Sequence, residues 1–287
     1  MELHYLEIAK ATSILLPVSI KKQINDFINN QEPILLIKHL PIDENLIKTP
    51  INNSFHIGGK TMMGKISAII SEFIGSMVCY EAEGNGKLFQ DMVPNKKLSN
   101  SQTSLSSKVE LELHTEQAFS DLRPDYLNLA CLRGNNEAKT YYLPMDVVLE
   151  NMNKDELIQL NEKNWYMGVD LSFMMNGCEN NKRGPLSLFT NNSNFVFDQD
   201  LLISTNSTAK YLVDKIINLY YKYRKHIVLE PGDLLIINNN NCVHGRSSFT
   251  PNYDGYDRFI VRSFIMTSLD KIKDKAMKNR MILKEFS

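Results

Sequence analysis

The hydrophobic pattern along the sequence shifts near Gly84, and this shift constrains the fold more than any other feature. Before it, apolar residues recur at helical spacing over residues 20–28 and 64–77. After it, short strand-like segments follow one another, and residues 109–113 alternate apolar side chains with glutamates, as a half-buried strand does. The predicted strands span residues 34–37, 87–93, 109–113, 126–132, 139–143, 226–230, 233–238 and 258–266.

Helices are predicted again within residues 145–161 and 207–224, and residues 269–285 read as a charged helical tail. Many short strands with early and inserted helices predict a mainly β fold with flanking helices and a double-stranded β-helix, or jelly-roll, core. The chain shows neither alternating strand–helix units nor a glycine-rich phosphate loop, which argues against Rossmann and P-loop folds.

We expect one domain over residues 1–287, because neither a linker nor an internal repeat interrupts the pattern. A helical buttress would occupy residues 1–80, the core about 81–266, and the helical tail 267–287. The polar, irregular segment 174–193 is a candidate lid, since lids are commonly long polar loops.

The composition limits which binding partners and which cellular compartment we expect for the protein. With 32 basic and 33 acidic residues the formal net charge is -1, and without a basic run we expect no nucleic-acid partner. The four cysteines are dispersed without a Cys-x-x-Cys pair, which predicts reduced thiols. The apolar stretch Ser13–Val18 has no basic segment before it and contains Pro17, so we expect neither a signal peptide nor a membrane span, and a cytoplasmic protein.

Two of the six histidines have neighbours that indicate chemistry. His114 and Glu116 follow a predicted strand, and side chains two apart on a strand point the same way. His244 follows another apolar strand. Two histidines and one carboxylate are the ligands of non-haem Fe(II) oxygenases, and they leave three coordination positions open. These residues alone leave three alternatives open. The protein could be a zinc hydrolase with a bound water, His114 and Glu116 could form a catalytic acid–base pair, or Glu116 could have a structural role.

Arg258 lies fourteen residues after His244. The intervening segment turns around residues 251–255 and returns as a strand, which predicts that Arg258 lies beside the metal site. A guanidinium there would bind a carboxylate through two parallel hydrogen bonds.

The chain resembles the clavaminate synthase-like branch of the Fe(II)/2-oxoglutarate oxygenases over about residues 31–266. The resemblance rests on segments that match in order: QEPILLIKHLP, GKLFQDMVP, SKVELELHTEQAF with LNLACLRGNNEAKT, FDQDLL, and GDLLIINNNNCVHGRSSFTPNYDGYDRFIVRSF. His-x-Glu, in place of the more widespread His-x-Asp, indicates this branch over the taurine dioxygenase type.

The resemblance implies that His114, Glu116 and His244 bind Fe(II). It implies that Arg258 binds the distal carboxylate of 2-oxoglutarate and that the Thr140 hydroxyl supports it. With O2 as the second co-substrate, such enzymes convert 2-oxoglutarate into succinate and CO2 and hydroxylate an unactivated C–H bond. The substrate would be a small amino-acid-like molecule, as in natural-product biosynthesis.

Four residues match substrate-contacting positions of the family. Arg262 would bind the carboxylate of the substrate, and Ser104 would bind the polar end of an amino acid. Asp198 would hold a polar or cationic group of the substrate, and Gln90 would line the pocket wall. Each of these residues also has a structural alternative. Ser104 could cap a loop, Asp198 could lie in a turn or cap a helix, and Gln90 could support the core or a loop. Arginine-hydroxylating relatives carry a second acid where this chain has Val196, so a lysine-like amine or an amide is favoured here.

Several readings remain beside the amino-acid hydroxylase. A desaturase or cyclase of an amino-acid-derived intermediate would use the same cofactors, and the substrate could be free or bound to a carrier protein. A non-catalytic jelly-roll binding protein would not need the complete ligand set. In a zinc hydrolase, Arg258 and Thr140 would have no role in binding or catalysis.

Overall fold

The structure is a computed structural model, and it describes residues 2–170, 173, 182–190, 194–270, 272 and 276–283. These residues form a mixed fold of helices and sheets in which strands predominate. The α-helices are α1 (Glu2–Ser13), α2 (Val18–Asn29), α3 (Met62–Ile74), α4 (Met145–Glu150), α5 (Lys154–Asn161) and α6 (Ser207–Tyr223). Short 3-10 turns lie at Gly58–Lys60, Gly84–Gly86 and Lys96–Leu98.

The strands come in two large groups and two small ones. They are β1 (Ile34–Ile37), β2 (Ser76–Tyr80), β3 (Gln90–Met92), β4 (Leu111–His114), β5 (Tyr126–Arg133), β6 (Lys139–Pro144), β7 (Trp165–Gly168), β8 (Lys182–Leu186), β9 (Phe189–Thr190), β10 (Asn194–Phe195), β11 (Leu202–Ser204), β12 (Lys225–Val228), β13 (Leu234–Asn238), β14 (Cys242–Arg246), β15 (Phe259–Met266), β16 (Met277–Lys278) and β17 (Met281–Ile282).

An eight-stranded sheet, the main sheet, has the order β1-β13-β5-β15-β2-β17-β16, with β3 pairing β15. A four-stranded sheet, the minor sheet, has the order β12-β6-β14-β4. The strands β11-β7-β8 form a third sheet, and β9 pairs β10. The mainly β prediction with flanking helices is confirmed at this level.

The main and minor sheets share one apolar core. Leu129 and Ile260 of the main sheet belong to the same buried cluster as Cys242 of the minor sheet. Because side chains alternate along a strand, the next residues face outwards. Thus Ala130 and Val261 pack against helices α2 and α3. On the opposite side, the outer face of the minor sheet packs against α4, α5 and α6.

Helix α3 is fixed to the main sheet by polar contacts as well as by packing. The Thr61 hydroxyl caps it by accepting a hydrogen bond from the Gly64 N–H at 3.1 Å. Asn128, fully buried on β5, donates to the hydroxyls of Ser67 and Ser71 at 3.1 and 2.9 Å. These bonds satisfy polar groups in the interface between helix and sheet.

Two helix predictions near the N-terminus were incomplete. Met77 was placed on the second helix, but α3 ends at Ile74 and Met77 lies in β2, where it pairs Ile265. Gly75 separates the two elements, and the next residues gain ladder hydrogen bonds from β15. Helix α1 was not predicted, and its apolar side, including Leu6, is buried in a small cluster that also contains Ala68 of α3.

The prediction of a helical tail is wrong for the part of the tail that the structure describes. Residues 277–282 form a hairpin, with Asn279 and Arg280 at positive φ angles of 52° and 68°. This turn cannot continue a helix, and β17 instead pairs β2 in parallel, with Ile282 fully buried.

The candidate lid 174–193 is described only in part, because residues 174–181 and 191–193 lie outside the described residues. Its middle is regular: β8 pairs β7, so these residues extend a sheet and do not form an irregular loop. Among the described residues, no helix is both long and apolar enough to cross a membrane.

Candidate active site

The minor sheet brings the three predicted metal ligands together. His114 is the last residue of β4 and pairs directly with His244 of β14, and their ring centroids lie 4.4 Å apart. The carboxylate of Glu116 reaches the same point, with Oε2 3.7 Å from His244 Nε2. One ligand atom from each residue lies within 4.8 Å of the other two.

Hydrogen bonding and charge leave these groups in metal-binding states. His114 Nδ1 lies 2.8 Å from the Glu112 carbonyl, which can only accept, so this nitrogen carries the proton and Nε2 keeps its lone pair. Burial, and then His244, lower the pKa of His114, which favours the neutral ring. Burial opposes the ionisation of Glu116, but the charge of Arg262 and the contacts with His244 and His114 together outweigh it, and the pKa of Glu116 falls to about 2.

Arg262 selects which carboxylate oxygen faces the metal site. Its Nη1 donates to Glu116 Oε1 at 2.8 Å, which leaves Oε2 on the side of His244. The same guanidinium contacts Glu83 and, through Nε at 3.2 Å, the Gln90 side chain. Two imidazoles and one carboxylate oxygen converging on one point suit Fe(II).

Asn239 was not recognised in the sequence, although it fixes the backbone of a ligand. Its Oδ1 accepts from the Glu116 N–H at 2.7 Å, and its Nδ2 donates to the Glu116 carbonyl at 3.0 Å and to the Pro124 carbonyl at 2.8 Å. The sequence offered one signal: a run of four asparagines, residues 238–241, lies at the end of a buried apolar strand, and such a run is longer than a tight turn needs.

Glu83 was also missed. It is a largely buried acid at the cavity wall, paired with Arg262 and accepting from Gln117 Nε2 at 2.6 Å. Burial raises its pKa to about 7, against the opposing effect of Arg262. A single glutamate ahead of a Gly-Asn-Gly turn carries no sequence signal of such a role.

A cavity of about 460 Å³ opens beside the metal site. His114, Glu116, Ser104, Asp198 and Arg262 all line it, so the structure brings these candidate residues to one space. Its apolar wall includes the following side chains: Leu105, Ala118, Phe119, Val169 and Phe173. Gln90 reaches the site through Arg262.

Asp198 is held next to His114 by the backbone. The two residues form an isolated antiparallel bridge, and the Thr115 N–H donates to the Phe197 carbonyl at 2.7 Å. Asp198 Oδ1 accepts from the N–H groups of Asp200 and Leu201 at 3.0 and 2.9 Å. Burial raises the pKa of Asp198 to about 6, although His114 opposes the shift.

Arg258 and Thr140 lie in the interior between the sheets. Thr140 is buried on β6 opposite Arg246 of β14, two positions along from the pair Tyr142–His244. Arg258 directly precedes β15 and is buried. Burial lowers its pKa to about 10, so it stays charged at neutral pH. In the described part of the protein no carboxylate pairs with it, which leaves its charge for an anionic ligand.

Comparison with known proteins agrees with this site. No protein-family model matches the chain. An L-lysine 3-hydroxylase of Catenulispora acidiphila is 42% identical over 266 residues, which cover 90% of this chain and 74% of that protein. Clavaminate synthase 2 of Streptomyces clavuligerus is 27% identical over 277 residues, 93% of this chain and 85% of that protein. The solved structure of an asparagine oxygenase with Fe(II), 2S,3S-3-hydroxyasparagine and succinate superposes with a TM-score of 0.89 at 23% identity, over 97% of this chain and 89% of that one.

The sheets and the His–Glu–His cluster define a non-haem Fe(II) oxygenase. When bound, the iron supplies the activation of O2, coupled to conversion of 2-oxoglutarate into succinate and CO2. Because a relative is 42% identical over 90% of this chain, the chain belongs to the clavaminate synthase-like family of Fe(II)/2-oxoglutarate-dependent oxygenases. It is an amino-acid hydroxylase, and the prediction of this enzyme class and of its cofactors is confirmed.

Proposed function

We propose that the protein hydroxylates free L-lysine, or a close homologue with a terminal amine, at an unactivated C–H bond between its α-carbon and that amine. The carboxylate of Asp198, partly buried in the cavity beside His114, carries this proposal. Among the described residues no lysine or arginine pairs with it, and a buried carboxylate is costly without a cationic partner. The similarity to an L-lysine 3-hydroxylase supports the same substrate.

A single acid favours an amine over a guanidinium. Val196, two residues before Asp198, is apolar and only 7% exposed. A guanidinium is best satisfied by two acceptors in a planar fork, whereas a primary ammonium is a compact point charge. One carboxylate therefore satisfies the end of a lysine side chain better than the end of an arginine side chain.

The other polar residues are assigned to the remaining groups of substrate and co-substrate. We assign the substrate carboxylate to Arg262 and Ser104, which line the same cavity as Asp198. Gln90 supports Arg262 by accepting its Nε hydrogen bond. Arg258 and Thr140 bind the distal carboxylate of 2-oxoglutarate, and His114, Glu116 and His244 hold the iron.

The architecture fits this assignment. We infer that the main and minor sheets are the two halves of a jelly-roll core and that the protein is one cytoplasmic domain. A cavity of about 460 Å³ is in the range of small-molecule sites, which favours a free amino acid over one attached to a carrier protein.

The test is succinate formation by protein loaded anaerobically with Fe(II) and 2-oxoglutarate, then exposed to air with single amino acids. L-lysine should stimulate succinate strongly, and norleucine, which has a similar length without the amine, should not. Mass spectrometry of the amino acid should show the gain of one oxygen atom; loss of two hydrogens would indicate desaturation. Stimulation by a neutral amino acid but not by lysine would contradict the proposal.

Asp198→Asn is the matched variant, because an asparagine oxygen can still accept from Asp200 and Leu201. Its KM for lysine should rise by about 30-fold or more, since a buried charge pair is lost. Asp200→Asn, at an exposed neighbour on the cavity rim, should change the KM far less.

A further inference from the structure

A second buried guanidinium lies close to Arg258. Arg246 follows His244 by two residues on β14, so both side chains point to the same side of the minor sheet. The guanidinium carbons of Arg246 and Arg258 lie 5.1 and 5.9 Å from the centroid of the same ring, Phe249. All three residues are buried. No carboxylate in the described ranges of the protein pairs with either arginine.

Two buried like charges repel each other and have both lost their hydration, so an anion nearby is needed to offset them. The anion that this enzyme class binds is 2-oxoglutarate. Arg246 also lies directly opposite Thr140 across the β6–β14 ladder. The positive field at the co-substrate end of the site therefore has two sources, of which Arg246 is the one that sequence reasoning did not identify.

The hydrogen bonds of Arg246 lead to the substrate cavity. Its Nη1 donates to the Ser104 carbonyl and its Nη2 to the Ser106 hydroxyl, both at 3.0 Å. The Phe249 N–H adds a bond to the Ser107 carbonyl at 2.8 Å. Residues 101–105 of this loop form one wall of the cavity. One arginine therefore touches the co-substrate region and fixes the loop that faces the amino acid.

We propose that Arg246 is a positioning residue that joins the 2-oxoglutarate end of the active site to the Ser104 loop. Its charge strengthens the binding of the co-substrate, and its directed hydrogen bonds hold the cavity wall. The inference rests on the proposed roles of Arg258 and Ser104.

Three variants separate the charge from the hydrogen bonds. Arg246→Met removes both, Arg246→Lys keeps the charge without the planar fork, and Ser106→Ala removes one acceptor only. Binding of 2-oxoglutarate to Mn(II)-loaded protein is measured by calorimetry without O2, and the KM for the amino acid is measured separately by succinate release.

Arg246→Met should weaken 2-oxoglutarate binding by at least about tenfold and raise the amino-acid KM. Arg246→Lys should restore 2-oxoglutarate binding to near the parental value. Both Arg246→Lys and Ser106→Ala should raise the amino-acid KM about two- to tenfold, with the affinity for 2-oxoglutarate little changed.

Arg133→Met is the matched control. Arg133 also ties a loop through a hydroxyl and a carbonyl, those of Thr49 and Leu46, but it does not line the cavity. The Arg133→Met substitution should lower the unfolding temperature and leave the affinity for 2-oxoglutarate and the amino-acid KM unchanged.

If Arg246→Met behaves like Arg133→Met, with a lower unfolding temperature but unchanged binding of 2-oxoglutarate and of the amino acid, the proposal is overturned. Should this variant not fold, Arg246→Lys and Ser106→Ala decide, because unchanged amino-acid KM values in both would remove the link to the loop. A parent protein that binds no 2-oxoglutarate would count against the proposed function itself, and that result is distinct from the others.

Discussion

The side-chain amide of Asn239 pairs with the backbone of Glu116 through two hydrogen bonds, one in each direction. This is the pattern that a neighbouring strand would offer, at a point where the ladder of β4 has ended. A third bond to the Pro124 carbonyl fixes the amide itself. The carboxylate of Glu116 therefore reaches the metal site from a backbone held at both its donor and its acceptor.

Asn239→Ala is expected to weaken metal binding by about 10- to 100-fold, because groups that orient a ligand typically contribute this much to affinity. Calorimetric titration of the metal-free protein with Mn(II) measures the effect. Asn240→Ala is the matched control, since its amide binds Asp125 and Arg123 and does not contact a ligand. Equal affinities in the two variants would show that Asn239 has only a structural role.

Replacing a ligand should have a larger effect than replacing its support. His244→Ala is expected to abolish turnover and to remove the stabilisation by metal. For the parent, Mn(II) at about a hundred times its Kd should stabilise the fold by about 2.7 kcal/mol. His226→Ala, at an exposed histidine of β12, should keep both properties. Thermal unfolding with and without Mn(II) measures the difference, and an unchanged shift in His244→Ala would exclude it as a ligand.

The ligand set could be predicted because it depends on local rules. His114 ends β4 and Glu116 lies two residues beyond it, and the remaining requirement is one antiparallel pairing with His244. Asp198 was placed by resemblance, and its position beside His114 depends on an isolated bridge that no local pattern encodes.

The partners of Arg262 and Asn239 could not be predicted for a related reason. Arg262 was expected to bind a substrate carboxylate, but spacing could not show that it also holds Glu116 and Glu83. Those contacts form only when β15 and the loops around residues 83 and 116 pack together. Short polar side chains such as Asn239 likewise have no periodic pattern, so their hydrogen bonds appear only in three dimensions.

Arg258→Met should raise the KM for 2-oxoglutarate by about 30-fold or more, because the loss of one partner of a buried charge pair costs about 2–5 kcal/mol. The kcat at saturating 2-oxoglutarate should fall less, since the substitution leaves His114, Glu116 and His244, which would hold the iron, unchanged. Arg224→Met provides the control: this arginine pairs with Glu110 at 2.6 Å and stacks on Tyr141, away from the sheet interior. Succinate release over a range of 2-oxoglutarate concentrations measures both constants, and an unaffected KM would place the carboxylate clamp elsewhere.

Val196→Asp should move the preference of the cavity from an amine towards a guanidinium. The new acid would lie two residues from Asp198, and two carboxylates can accept the planar donors of arginine in a fork. The variant should lose stability without substrate, because Val196 is buried and an unpaired carboxylate there is costly. Val196→Asn has a similar size and no charge, and it controls for the change in packing. The ratio of kcat/KM for arginine to that for lysine should rise about tenfold or more in Val196→Asp and stay near the parental value in Val196→Asn. An equal ratio in both variants would mean that residue 196 does not face the end of the substrate, and the argument for a single-carboxylate amine site would then fail.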